Sequence, residues 1–334
     1  MKSCIKILLL ISIILYFFIF CSKESEVKSP WQIVTEGEYD SCLHSIYFLD
    51  SNNGWACGDN NTILNYKDGK WSKFQIPEFS NYFSFVDYSD IFFLSENDGW
   101  VVGRGFFATH GVQGIIYHWN GTEWEDMSPP LSENVYSLDT VLFITPDEGW
   151  VGGVDVIYHY INNQWIRYEV EMNIYSFWFN SQNEGYACGS YEDIYYWDGN
   201  EWYPYIGFGF YSYSKSIVFT SPNEGWVIGV NAGSGEIPSV SRIYYFCPIS
   251  TGTGPYIKEY GAYVTSLESL SFSNPYDGWA VGSNSSYHWD GNKWDDIPLP
   301  DDSYIYLNDV FAISPDDVWA VGENGTILHF TGWK

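Results

Sequence analysis

Asp139 and Glu268 are the carboxylates with most to offer as a catalytic pair. If they faced each other at a suitable separation, one could act as acid and the other as base or nucleophile at a glycosidic bond. Four histidines, His118, His159, His288 and His329, could be read as a metal cluster in a chain otherwise poor in basic groups. Outside the first twenty residues there are five cysteines, Cys21, Cys42, Cys57, Cys188 and Cys247, and their spacing matches no paired C-x-x-C zinc motif. A disulfide between Cys42 and Cys57 is left open, since an oxidising compartment would permit one. Neither a G-x-S-x-G nucleophile elbow nor a phosphate-binding glycine loop occurs.

Whether any of these groups meet depends on what positions them, and the chain repeats itself. "GWACG" opens at 54, "GWVVG" at 99, "GWVGG" at 149, "GYACG" at 185, "GWVIG" at 225, "GWAVG" at 278 and "VWAVG" at 318, with spacings of 36 to 53 residues. Six residues before each opening position stands Phe48, Phe93, Phe143, Phe179, Phe219, Phe272 or, in the last copy, Ala312. An apolar run ending in an aromatic follows each copy ("TILNY", "IIYHW", "TILHF"), and most copies continue with a tight turn and a Trp, as in "DGKW" at 68 and "DGNKW" at 290. Each copy therefore reads as four antiparallel strands with an Asp-Gly or Asn-Gly hairpin before the last. Seven such units predict an all-β fold, a seven-bladed β-propeller; an open solenoid would need atypical capping repeats, and none is seen. The seventh copy holds only three strands before Lys334, and "WQIV" from Trp31 has the pattern of the missing fourth. The N-terminal strand is expected to complete the last blade and close one domain from Trp31 to Lys334, a single monomeric ring.

The "[DE]GWxxG…I…DGxxW" pattern resembles the neuraminidase-repeat-like (BNR/YVTN-like) propellers, especially photosystem II assembly-factor-type repeats and bacterial propeller lipoproteins. The likeness covers nearly all of residues 31–334. It implies a propeller, and as one function an assembly factor or scaffold; propellers host many activities, so it does not select among them. The alternative is a glycoside hydrolase of sialidase-like propeller architecture. Against it, sialidases grip a carboxylate with three arginines, and this chain has only Arg104, Arg167 and Arg242, of which Arg167 falls in an outer strand. The full S-x-D-x-G-x-T-W box and the R-I-P signature are also missing.

The repeat serves as an internal control, because residues recurring in every blade belong to the blade. Fifteen of the 17 Trp occupy three repeat columns and are expected between blades. The four histidines are repeat mates one residue before the third-strand aromatic, so they cannot all converge. Turn carboxylates read as turn formers. They leave Ca2+ open as a cofactor, although no D-x-D-x-D-G loop supports it, and no metal site or other cofactor is expected. One column breaks the rule: His44, Ser89, Asp139, Tyr175, Lys215, Glu268 and Asn308, beside a column that is uniformly small or acidic. At the start of the first strand these seven would ring one mouth of the central channel, as a small-ligand site requires. Long inter-blade and strand-connecting loops should emerge on that face, bringing Tyr82, Phe83, Phe85, Phe106, Phe107, Phe208, Phe210 and Tyr211 into a recognition surface.

The 42 Asp and Glu against 14 Lys and Arg give a formal charge of −28, which repels phosphate backbones and argues against nucleic-acid partners. Aromatics reach 20%, in keeping with strands. At the N-terminus, Lys2 and Lys6 accompany the apolar run Ile5–Phe20, followed by Cys21 and the polar stretch "SKESEVKSP". This resembles a bacterial lipoprotein signal with Cys21 lipidated, although such signals carry a small residue where this chain has Phe20; an uncleaved anchor and ordinary secretion are the other readings. Residues 1–21 are expected to be the signal and 22–30 a tether. The expected protein is exported to the bacterial cell envelope, periplasmic or outer-surface. There it would bind a protein or glycan partner through the loop-rich face, without catalytic residues.

Overall fold

The computed structural model describes residues 28–35, 39, 41–74, 76, 83–108, 111–130, 133–191, 193–207, 212–231, 240–248, 255–263, 266–300 and 304–333. The expected signal, tether start and Cys21 lie outside them. Seven four-stranded antiparallel sheets follow one another along the chain. In blade 1 the strands are Leu43–Asp50, Asn53–Gly58, Thr62–Lys67 and Lys70–Lys73. The first strand of every blade packs against the first strand of the next, and blade 7 returns to blade 1. That closed ring of first strands surrounds the channel.

The seventh blade is closed by the other end of the chain. Trp31–Thr35 pairs antiparallel with Ile327–Phe330, with Trp31 opposite Phe330. Trp31 is 3% exposed and stands edge-on to Trp279 at 5.0 Å, while its Nε1–H donates to Ser286 Oγ at 3.0 Å. The outer edge that Ile327–Phe330 would otherwise leave unpaired is covered.

The pairing registers explain the sequence columns. The Phe of each first strand lies opposite the opening Gly of the repeat, as Phe48 opposite Gly54. A Cβ on Gly54 would stand 2.3 Å from the Phe48 ring, and in the other five Phe–Gly pairs the approach also falls below 3.0 Å. In blade 7 the pair is Ala312 opposite Val318, so the bulk has moved to the second strand, where a smaller first-strand residue leaves room for it. The apparent irregularity of the last copy is a partly compensated exchange across one strand pair.

The Trp and His columns are cross-strand neighbours. Trp100, Trp150, Trp279 and Trp319 lie opposite His118, His159, His288 and His329. Each imidazole also meets the acidic residue that precedes the repeat: Asp98 at 2.9 Å, Glu148 at 3.2 Å, Asp277 at 2.9 Å and Asp317 at 2.8 Å. The four histidines are thus held one per blade, and none joins another at a metal.

Two substitutions in one strand test the closure. Trp31→Ala should cost about 3–5 kcal/mol in equilibrium urea unfolding, the range for emptying a buried aromatic site. Ile33→Ala, in the same strand but 37% exposed, should stay within about 0.5 kcal/mol of wild type. Equal losses from both would show that the closing strand is not anchored through Trp31.

Candidate functional site

Each first strand slips register with the second at two or more places, and one of these slips recurs near the start of the repeat in every blade. In blade 1, Leu43 lies opposite Gly58 and Ser45 opposite Cys57, leaving His44 between them without a partner. The same shift skips Ser89, Asp139, Tyr175, Lys215, Glu268 and Asn308 in the other six blades. The column in which the blades disagree is therefore a column of β-bulges. A bulge frees one residue from the ladder and re-aims its side chain, and these seven, all half-buried, line one cavity of about 220 Å3 at the channel mouth. The closing Gly of the repeat permits the bulge. A Cβ on Gly58 would stand 1.9 Å from the Cys42 carbonyl oxygen, and five other blades have the equivalent clash.

The adjoining small or acidic column forms the floor of the cavity and joins the blades. Ser45 Oγ donates to Asp90 Oδ1 at 2.7 Å, and Asp90 Oδ2 accepts the Val141 N–H of the next blade at 2.8 Å. Ser269 Oγ donates to Asp309 Oδ1 at 2.6 Å, and Asp309 Oδ2 accepts the Ile46 N–H at 2.8 Å across the junction of blades 7 and 1. Ser176 and Ser216 accept the Ile217 and Leu270 N–H groups in the same way. Asp90 and Asp309 line the channel cavity and are part-exposed to it, yet the ring encloses them, and burial raises both above the ordinary carboxylate range, Asp309 to about 7.

Above that floor the bulge side chains differ in chemistry. Lys215 Nζ lies 2.8 Å from Glu268 Oε2, with the Tyr175 and Tyr213 rings 5.7 and 5.5 Å away. Burial works against the Lys215 charge, but the Glu268 carboxylate more than offsets it and holds the ammonium above its usual pKa. Glu268 Oε1 also accepts the Tyr306 and Ser266 hydroxyls at 2.7 and 2.6 Å. Burial raises Asp139, which accepts the Ser137 hydroxyl at 2.5 Å. His44 Nε2 lies 2.7 Å from Asp59 Oδ1, and its Nδ1 faces Cys42 Sγ at 3.9 Å. Burial opposes its charge, but the hydrogen bonds to Asp59 and Cys42 push its pKa up to about 10.

Of the loop aromatics, Phe83, Phe106 and Phe107 stand on a hairpin of blade 2 that continues past the bulge. Phe85 stacks on Phe106 at 4.4 Å, and Phe83 meets Phe107 at 4.9 Å. Phe83 is packed down on the blade core, whereas Phe85 is 37% exposed. Tyr82, Phe208, Phe210 and Tyr211 lie outside the described residues. The Arg104 guanidinium lines the mouth beside Asp87 at 3.5 Å; Arg167 and Arg242 pair with glutamates in outer strands. Cys42 and Cys57 are both free thiols. Sequence reasoning missed Asp59, Asp87 and Cys42 as neighbours of the mouth. The available signal was position: each lies two residues before a bulge or directly after the closing Gly.

The raised Asp309 gives a pH prediction. Its folded pKa of about 7 exceeds the unfolded value near 3.8. Its contribution is therefore full below about pH 4 and is lost as pH rises through about 7. In urea unfolding at several pH values, Asp309→Asn should gain on wild type from pH 4 to pH 8. The gain should reach at most about 4 kcal/mol, less what channel water screens. Parallel profiles would mean that Asp309 titrates normally.

No protein-family model and no curated protein matches the chain. Solved propellers do. A structure of YCF48 bound to D1 peptide superposes with a TM-score of 0.68 at 16% identity, over 91% of this chain and 97% of that one. YCF48 from Cyanidioschyzon merolae gives 0.68 at 17% identity, over 90% and 98%. A streptogramin B lyase gives 0.69 at 14% identity, over 90% and 96%. The chain is similar in fold to an assembly-factor propeller and to a lyase propeller alike, and at these identities the likeness is one of fold: a seven-bladed β-propeller.

Proposed function

We propose that this protein is a non-enzymatic binding propeller, which holds a segment of a protein partner over the channel mouth at the bacterial cell envelope. The observation that carries the reading is the ring of seven bulge residues. It offers an imidazole, a hydroxyl, carboxylates, a phenol, an ammonium and an amide to one small cavity, near a stack of the exposed Phe85 on the half-buried Phe106. Mixed polar groups rimmed by exposed aromatics suit a peptide better than a uniform small ligand. A propeller of the same architecture has been solved with a peptide bound, which supports a protein over a glycan partner. The envelope location rests on the Ile5–Phe20 run and Cys21.

A carboxylate-pair hydrolase has less support. Both Glu268 oxygens are already engaged, by Lys215, Tyr306 and Ser266. Glu268 is thus held in contacts of its own rather than free to face Asp139.

Crosslinking capture from an envelope extract, run beside a glycan array, tests the proposal. Wild type should retain a discrete protein, and Phe85→Ser combined with Phe106→Ser should weaken that capture about 30-fold or more, as hot-spot aromatics do. Capture indifferent to the double substitution, glycan binding alone, or sugar release abolished by Asp139→Asn would each overturn it.

A further inference from the structure

We infer that Cys42, His44 and Asp59 form a binding site for a borderline divalent cation of the Zn2+ class at the rim of the channel. One ligand atom from each of the three lies within 4.8 Å of the others. A tetrahedral Zn2+ held by sulfur, nitrogen and oxygen needs donors about 3.3–3.6 Å apart. Small rotations of three half-exposed side chains supply the difference. The backbone beneath them is fixed. Cys42 stands just before the first strand and His44 is its bulged residue, and the His44 Nδ1 lies 3.9 Å from Cys42 Sγ. The Asp59 N–H donates to the Cys42 carbonyl at 2.9 Å, at the place where Gly58 leaves no room for a Cβ.

Asn308, from the last blade, gives an independent indication. Its Nδ2 donates to the Leu43 carbonyl at 2.8 Å and lies 3.2 Å from Cys42 Sγ. The amide is thereby oriented with a donor toward the sulfur, as suits a sulfur carrying negative charge in a metal thiolate. The other blades act as controls. The same three positions hold Asp87, Ser89 and Arg104 in blade 2, and Ser266, Glu268 and Ser283 in blade 6. Those slots are filled by an ion pair or a hydroxyl–carboxylate contact. Only blade 1 combines thiol, imidazole and carboxylate, a donor set that selects Zn2+ or its neighbours over Ca2+ and Mg2+. Three protein ligands leave a coordination position for water on the cavity side, which His44 lines.

The test uses the full chain after chelator treatment, titrated with Zn2+ alone and, in a second arm, with Co2+ as a spectroscopic probe. One equivalent of Zn2+ should bind and raise the melting temperature. Co2+ should give a thiolate-to-metal charge-transfer band in the near ultraviolet. Cys42→Ser should abolish the band, and His44→Gln and Asp59→Asn should each weaken Zn2+ binding well over tenfold. Asn308→Ala should weaken it about tenfold, as loss of a supporting hydrogen bond does, and the exposed Glu123→Gln should leave it unchanged. Near-ultraviolet circular dichroism without metal confirms that the variants are folded. Absence of Zn2+ binding, a Co2+ complex without the band, or a Cys42→Ser variant with wild-type Zn2+ affinity overturns the inference.

Discussion

The extra residue in each first strand is the constraint on which the channel mouth depends. A closing Gly without a Cβ lets the second strand end against a backbone carbonyl, 1.9 Å from where the missing atom would stand in blade 1. The register then slips by one, and one side chain per blade leaves the ladder at the channel mouth. Those seven positions no longer contribute to strand pairing, although Lys215, Glu268 and Asn308 still make polar contacts across blades. Their chemistry can vary without breaking the ladder, which is why polar diversity collects there.

The ring beneath them has the opposite character. Its hydroxyls and carboxylates are committed to amides of the next blade, and buried polar groups tolerate little change once paired. Small or acidic residues suit this role, because only a short acceptor reaches across without crowding the channel. Asp90 and Asp309 do this at a cost in desolvation, which shows as their raised pKa values. The outer ring of aromatics carries a related cost. Nine buried indole N–H groups, Trp100 and Trp150 among them, have no hydrogen-bond acceptor among the described residues. Several of these rings instead meet another aromatic nearly at right angles, as Trp150 meets Trp202 at 89°.

The blade count, the strand order and the completing N-terminal strand were all legible in the sequence, because each follows from a repeated pattern of apolar positions and turns. The demotion of the Trp and His columns was legible for the same reason. Why one column varies was not. A bulge depends on a register between two strands, and the sequence shows each strand separately. The exchange of Phe and Gly for Ala312 and Val318 was hidden likewise, since it is visible only once the two residues are seen to face each other. The grouping of Cys42, His44 and Asp59 combines both difficulties. One of its members is the bulged residue, another lies two positions before it, and the third follows the end of the neighbouring strand.

That group also lies at the one junction where the ring is closed by distant parts of the chain. Blade 7 meets blade 1 there through Asp309 and Ile46, and through Asn308, which reaches Leu43 and Cys42 across more than 260 positions of sequence. On the outer side, the Thr35 hydroxyl donates to the Gly325 carbonyl at 2.9 Å. Loop closure over such a distance is entropically the most expensive of the seven, and no continuous strand connection supports it on the channel side. A cation bound by Cys42, His44 and Asp59 would orient the sulfur that Asn308 contacts, and it would bind the closed ring in preference to the open chain. The most polar corner of the channel mouth would then also strengthen the weakest joint of the fold, and the ligand face and the seam would be one structure.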